Sequence, residues 1–190
     1  MLQLQKQDNE YQIFPDGSHW IQLSGELQGT ILDLGGGGEG VIGRLYGSQV
    51  TAIDNRQEEL EEAPGDCRKL LMDAADLQFG DREFDHVTSF YTLMYMNTEE
   101  QRKVLAEANR VLKTDGTLHI WDCDISSAYP EPFSIDLQIQ LPDACISTTY
   151  GIVKRDSQNR EMILQMCQEA GLRLVTEQQT ASCFYLCFRK

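Results

Sequence analysis

The sequence is short of positive charge. Sixteen lysines and arginines stand against 30 aspartates and glutamates, a formal net charge of -14. A protein that holds a polyanion presents a basic stripe, and none runs through this chain, so nucleic acid is excluded as an expected partner. Long apolar runs are missing too: nothing approaches the ~20 residues that span a bilayer, so no membrane partner is expected. The first six residues show no basic start followed by an apolar run, which leads to the expectation of a cytoplasmic protein. The six cysteines (Cys67, Cys123, Cys145, Cys167, Cys183 and Cys187) include no C-x-x-C pair. Cys183 and Cys187 share a face of an expected strand but have no second ligand pair. No metal site is therefore expected, and the thiols read as buried and free, in a reducing compartment. Linkers, low-complexity segments and long repeats are also lacking, and 190 residues suit one domain.

Hydrophobic patterning divides that unit. Residues 1–29 read as an N-terminal cap, with a hairpin over 11–23 turning at Pro15-Asp16-Gly17-Ser18. Residues 30–124 form the core, in which apolar strands at 30–34, 49–53, 69–72, 84–90 and 117–121 alternate with helical segments. The clearest helix begins at Thr98, read as its cap with Gln101 completing a capping box, and carries Val104, Leu105, Ala108, Val111 and Leu112 on one face. Residues 125–155 are an insertion: 133–141 alternate strictly, with Phe133, Ile135, Leu137, Ile139 and Leu141 on one side, and 145–153 return as a partner strand. The apolar stripe needs a cover, either the N-terminal hairpin as a lid or a second subunit in a homodimer. Residues 156–190 hold a last helix, with Ser157 as its cap, and a closing strand pair. The fold class expected is α/β: a Rossmann-like, doubly wound, seven-stranded sheet of five parallel strands plus a C-terminal strand pair, with an inserted β-hairpin. Right-handed crossovers bring the strand ends to one edge, so Asp33, Asp54, Asp73 and Asp122 share a rim.

The segment Asp33-Leu34-Gly35-Gly36-Gly37-Gly38-Glu39-Gly40 joins the first core strand to the first helix. Glycine allows a tight turn and a close ligand, and a helix start offers free N–H groups. Gly35, Gly37 and Gly40 fit a dinucleotide fingerprint, with Asp54 at about the distance for a ribose. An acidic residue two positions before the first glycine is unfavourable for an anionic pyrophosphate.

The strand, Asp33 and Gly35-Gly36-Gly37-Gly38, together with Asp54, with Met72-Asp73-Ala74-Ala75-Asp76-Leu77-Gln78-Phe79 and with Phe84-Asp85, resemble the class I methyltransferases, nearest to the type 11 small-molecule group. The likeness covers roughly residues 30–122, plus the terminal helix and strand pair. It departs from the family at the third glycine of the turn, where Glu39 stands. It implies S-adenosylmethionine as cofactor, with Asp33 near the ammonium, Gly35, Gly36 and Gly37 forming the turn, and Asp54 and Asn55 at the ribose. Asp73 and Ala74 would meet the adenine, and Ser89 and Phe90 the floor. The fourth strand is followed by Ser89-Phe90-Tyr91-Thr92, without the Asn/Asp-Pro-Pro-aromatic signature of many amide and exocyclic-nitrogen methylases. With the acidic composition, this points to a small-molecule acceptor. Tyr91, Tyr95, Asp122 and Trp20 are the acceptor-side candidates; His119 reads as a core residue, and no catalytic residue is assigned. The alternative is a module that binds the cofactor without catalysis.

Overall fold

The computed structural model describes residues 5–7, 10–12 and 18–190. Two short strands, β1 (Gln5–Gln7) and β2 (Glu10–Gln12), pair antiparallel. The expected hairpin turn falls largely on residues 13–17, outside the described residues. Its second arm is β3 (Ser18–Gln22), and that strand pairs with the insertion.

The core then alternates as its pattern suggests. In chain order come β4 (Ile31–Leu34), α1 (Val41–Tyr46), β5 (Val50–Asp54), α2 (Gln57–Glu62), β6 (Arg68–Leu71), β7 (Phe84–Phe90), α3 (Thr98–Val111) and β8 (Leu112–Cys123). All four residues of β4 are buried, which is why it carries an unbroken apolar run around Asp33. The insertion follows as β9 (Phe133–Gln140) and β10 (Cys145–Ile152), then α4 (Arg160–Glu169), β11 (Arg173–Thr180) and β12 (Cys183–Arg189). The main sheet runs β11-β12-β8-β7-β4-β5-β6. The strands from β8 to β6 are parallel, and β12 is antiparallel to both its neighbours.

Four local expectations need correction. Asn97, not Thr98, caps α3: its side chain accepts from the N–H groups of Glu99 and Glu100, and Glu100 closes the box on the Asn97 N–H. Asn159, not Ser157, caps α4, accepting from the Met162 N–H. β8 starts five residues early because Asp115-Gly116 is an irregularity inside the strand, with Asp115 in the left-handed region, rather than a turn before it. Cys145, expected to be buried, is exposed at the start of β10; the other five cysteines are buried, and all six are free.

Helices α3 and α4 cover one face of the main sheet, in a core that includes Leu105, Val111, Ile163 and Phe188. The other face packs against α1 and the insertion. There Ile135, Leu137, Ile139 and Leu141 share a core with Ile31, Val50, Ala52 and Met94. The apolar stripe thus finds its cover within the chain. β9 sits in the middle of a second sheet, β10-β9-β3, antiparallel to β10 and parallel to β3 with Trp20 opposite Gln138. No described helix is long and apolar enough to cross a membrane.

Candidate functional site

Parallel strands ending level make a crevice at their C-terminal edge. Leu34 lies opposite both Ile53 and Ser89 in the ladders, so β4, β5 and β7 end together. A cavity of about 870 Å³ opens above them, within the range of ligand pockets. One wall is the glycine turn with Asp54 and Asp73; the opposite wall is Tyr95 with Thr149 and Tyr150 of the inserted strand β10.

The turn is shaped by close packing. Gly35 has φ +67°, and a Cβ there would sit 2.4 Å from the Thr92 methyl. Thr92 holds that approach by donating from Oγ1 to the Leu34 carbonyl at 2.8 Å. Gly36 donates to the Ile53 carbonyl at 2.9 Å and lies on top of Asp33, whose carboxylate occupies the space a side chain would need.

Two carboxylates face the cavity with their loops tied back. Asp54 Oδ1 accepts from the Arg56 N–H at 3.0 Å, and Asp73 Oδ1 accepts from the Ala75 N–H at 2.8 Å. Each keeps its other oxygen for a ligand, as an ionised carboxylate accepts through both.

Of the residues singled out by sequence, Gly35, Gly37, Asp54, Asn55, Asp73, Ala74 and Phe90 line this cavity, as do Tyr91 and Tyr95. Five do not. Gly36 belongs to the turn but packs down against Asp33, which lies beneath it. Asp33 is buried, with Oδ1 accepting from Thr88 Oγ1 at 2.7 Å. Burial raises its pKa to about 7, against the Thr88 bond and with the Asp54 charge adding to the rise. Ser89 is buried within β7. Asp122, expected at the acceptor side, is sealed under the turn that follows β7. Its carboxylate accepts from the Met94 N–H at 3.2 Å, the Cys123 N–H at 2.8 Å and Gln158 Nε2 at 2.7 Å. Trp20 belongs to a separate cavity of about 410 Å³ that it shares with Trp121 and Tyr185. The reason is strand order: β10, not β3, is the edge of the inserted sheet that meets the glycine turn.

His119 is a core residue, as expected. Its ring nitrogens are engaged by Thr117 Oγ1 at 2.7 Å and Tyr185 Oη at 2.9 Å. Burial, with His86 nearby, lowers its pKa to about 4.

Sequence reasoning missed Glu39, Thr92 and Tyr150 as cavity residues. Thr92 sits one residue past a tyrosine that was singled out, and a hydroxyl next to a glycine turn was the available signal. Tyr150 had only its place on the insertion. The two tyrosines expected from the sequence have a limited chemical range. Burial, first among the causes, pushes the hydroxyls of Tyr91 and Tyr95 up, so both stay protonated at neutral pH. Tyr95 can donate a hydrogen bond and Tyr91, its hydroxyl buried, can wall the pocket, but neither is a base. Tyr91 adopts a left-handed backbone, φ 53°, while its N–H donates to the Trp121 carbonyl at 2.7 Å. Its ring lies 5.1 Å from Phe90 and 5.7 Å from Tyr150, centroid to centroid. Strain of this kind clusters at functional sites.

Residues 32–120 match the family model described as "Methyltransferase domain", of type 11. Solved structures share the fold. The PH0226 protein of Pyrococcus horikoshii has a TM-score of 0.65 at 14% identity, over 86% of this chain and 84% of its own. A SAM-dependent methyltransferase from Methanosarcina mazei gives 0.61 at 16% identity, over 86% and 94%. An S-adenosylmethionine-dependent methyltransferase from Mesorhizobium loti gives 0.61 at 15% identity, over 85% and 90%. A search of curated proteins by sequence finds no match.

Proposed function

We propose that this chain, whose residues 32–120 match a type 11 methyltransferase domain, uses S-adenosylmethionine to methylate a small-molecule acceptor held between the glycine turn and the inserted strand. The observation that carries this reading is the acceptor-side wall. Tyr95 and Tyr150 close the cavity with side chains from the post-β7 turn and from β10, which leaves a walled cleft rather than an open platform for a macromolecule. The net charge of -14 supports it, since a polyanionic acceptor would be repelled.

The residues present fit the cofactor. Asp54 would accept from the ribose hydroxyls, with Asn55 beside it, and Asp73 with the Ala74 N–H would meet the adenine. Gly35 and Gly37, which carry no side chain, leave room for close backbone approach. Phe90 would lie along the floor. Asp33, one layer down, would contribute its charge from beneath the turn, while Gly36 and Ser89 act as packing around it.

The cofactor supplies a methyl group already activated on a sulfonium, so the protein's main task is alignment. Tyr95 would hold the acceptor by donating a hydrogen bond or by lying against it, and Tyr91, whose hydroxyl is buried beside Cys183, would wall it with its ring. With both hydroxyls protonated at neutral pH, an acceptor whose nucleophilic atom already has a free lone pair is favoured over one that needs a strong base.

The test is a turnover assay that measures S-adenosylhomocysteine against separate panels of small nucleophiles, basic peptides and RNA. Turnover confined to the small nucleophiles is expected; turnover with only peptide or RNA would overturn the small-molecule reading.

A further inference from the structure

Asp33 is the acidic residue that precedes the glycine turn, yet it is buried beneath Gly36 and absent from the cavity wall. The carboxylate that the turn itself presents to the cavity belongs to Glu39. Its position is held from both sides. The Glu39 carbonyl accepts from Arg44 Nε at 2.8 Å on α1, which anchors the backbone. The side chain reaches the insertion: Oε1 accepts from Thr148 Oγ1, and Oε2 accepts from Tyr150 Oη at 2.9 Å.

These partners orient the carboxylate without neutralising it. A carboxylate has about four acceptor positions, and two are taken by neutral hydroxyls. No salt bridge among the described residues includes Glu39. A half-buried anion fixed by neutral donors beside a cavity is completed by a cationic group on the ligand. Along the sheet edge, Asp73 follows β6, Asp54 ends β5 and the glycine turn follows β4, so the turn lies beyond Asp54 from Asp73 and faces the end of the cofactor opposite the adenine.

We propose that Glu39 receives the methionyl ammonium of the cofactor, and that Thr148 and Tyr150 make this contact depend on the inserted strand. Glu39 then does from the cavity wall what Asp33 cannot do directly from below. The strand that closes the acceptor side also orders the cofactor side, so the two halves of the pocket are set together. This inference rests on S-adenosylmethionine being the cofactor.

The test is calorimetric titration of two ligands, S-adenosylhomocysteine and 5′-methylthioadenosine. Both carry the adenine, ribose and thioether; only the first carries the ammonium. Glu39→Gln keeps the shape and one acceptor for the β10 hydroxyls but removes the charge. It should weaken S-adenosylhomocysteine about tenfold or more while leaving methylthioadenosine within about twofold. Retained methylthioadenosine binding also reports an intact fold. Tyr150→Phe keeps the charge and removes one tether; it should weaken S-adenosylhomocysteine by about threefold, again sparing methylthioadenosine. Equal loss of both ligands in Glu39→Gln, or unchanged S-adenosylhomocysteine affinity, would overturn the proposal. If the unaltered protein bound neither ligand, the cofactor assignment would fall first and the proposal with it. Binding of both ligands by the unaltered protein with no selective loss in either variant would sink the proposal alone.

Discussion

The hydroxyl of Thr88 donates to Oδ1 of Asp33 at 2.7 Å, between residues that stand directly opposite in the β7–β4 ladder. The bond favours the ionised carboxylate, but burial outweighs it and the folded pKa rises from 3.8 to about 7. A raised pKa means that the folded state holds its proton more tightly than the unfolded chain does. The associated stability is fully present below pH 3.8 and is lost as pH rises through about 7.

Asp33→Asn removes that titration. In the ligand-free protein, urea unfolding midpoints measured at about pH 5 and pH 8 should fall more for the unaltered chain than for the variant. Parallel falls in the two proteins would show that Asp33 ionises normally. A cationic ligand above the turn favours the ionised form, so saturating S-adenosylmethionine should narrow the difference at the higher pH.

Asp54 ends β5 at the cavity, with its Oδ1 tied to the Arg56 N–H. Asp54→Ala removes the acceptor proposed for the ribose. Affinity for S-adenosylmethionine should drop at least tenfold, on the order of 1.4 kcal/mol. Unlike Glu39→Gln, this change should affect methylthioadenosine equally, because that ligand keeps its ribose. Calorimetry on one preparation distinguishes the two patterns.

Gly35→Ala places a methyl group where φ is +67° and Thr92 is 2.4 Å away. Left-handed backbone costs a non-glycine residue about 1–2 kcal/mol before any clash. The variant should melt lower and lose most cofactor affinity. Pairing it with Thr92→Ser removes the clashing methyl and keeps the hydroxyl, so the double variant should recover part of the lost melting temperature. No recovery would mean that the dihedral, together with the retained Thr92 hydroxyl 2.6 Å from the added methyl, accounts for the loss.

Lys154 closes the insertion from below. It is buried, and its Nζ donates to the Met94 carbonyl at 3.0 Å and the Met96 carbonyl at 2.5 Å. Lys154→Met leaves both carbonyls without that donor and should cost about 1–3 kcal/mol of stability. Because Tyr95 sits between the two carbonyls, the acceptor KM should rise while S-adenosylhomocysteine affinity stays within about twofold. A Kd change as large as the KM change would assign Lys154 to the cofactor side instead.

The strand ends at Asp54 and Asp73 were legible because each sits at the close of a short apolar run, and a parallel sheet forces such ends to one edge. The helix caps were legible only to within a residue or two. Asn97 and Asn159 prevail over Thr98 and Ser157 because a cap is settled by which side chain reaches the free N–H groups. Asp122 and Trp20 were misplaced for a different reason. Both depend on contacts far apart in the chain: Gln158 and Met94 around Asp122, and β9 beside Trp20. Glu39 illustrates the same limit. Read along the chain it interrupts a glycine run; its two hydroxyl partners are more than a hundred positions away.

The parallel ladder between β3 and β9 sets an order of events during synthesis. Trp20 leaves the ribosome long before Gln138, the residue it faces. Until the later segment emerges, β3 has no neighbour in its sheet, and closing so long a loop is slow compared with local pairing. The residues of the crevice floor, β4 to β8, are therefore synthesised before those of its roof, β9 and β10. The nascent chain passes through a stage in which the glycine turn is open to solvent and Glu39 has neither Thr148 nor Tyr150 to hold it.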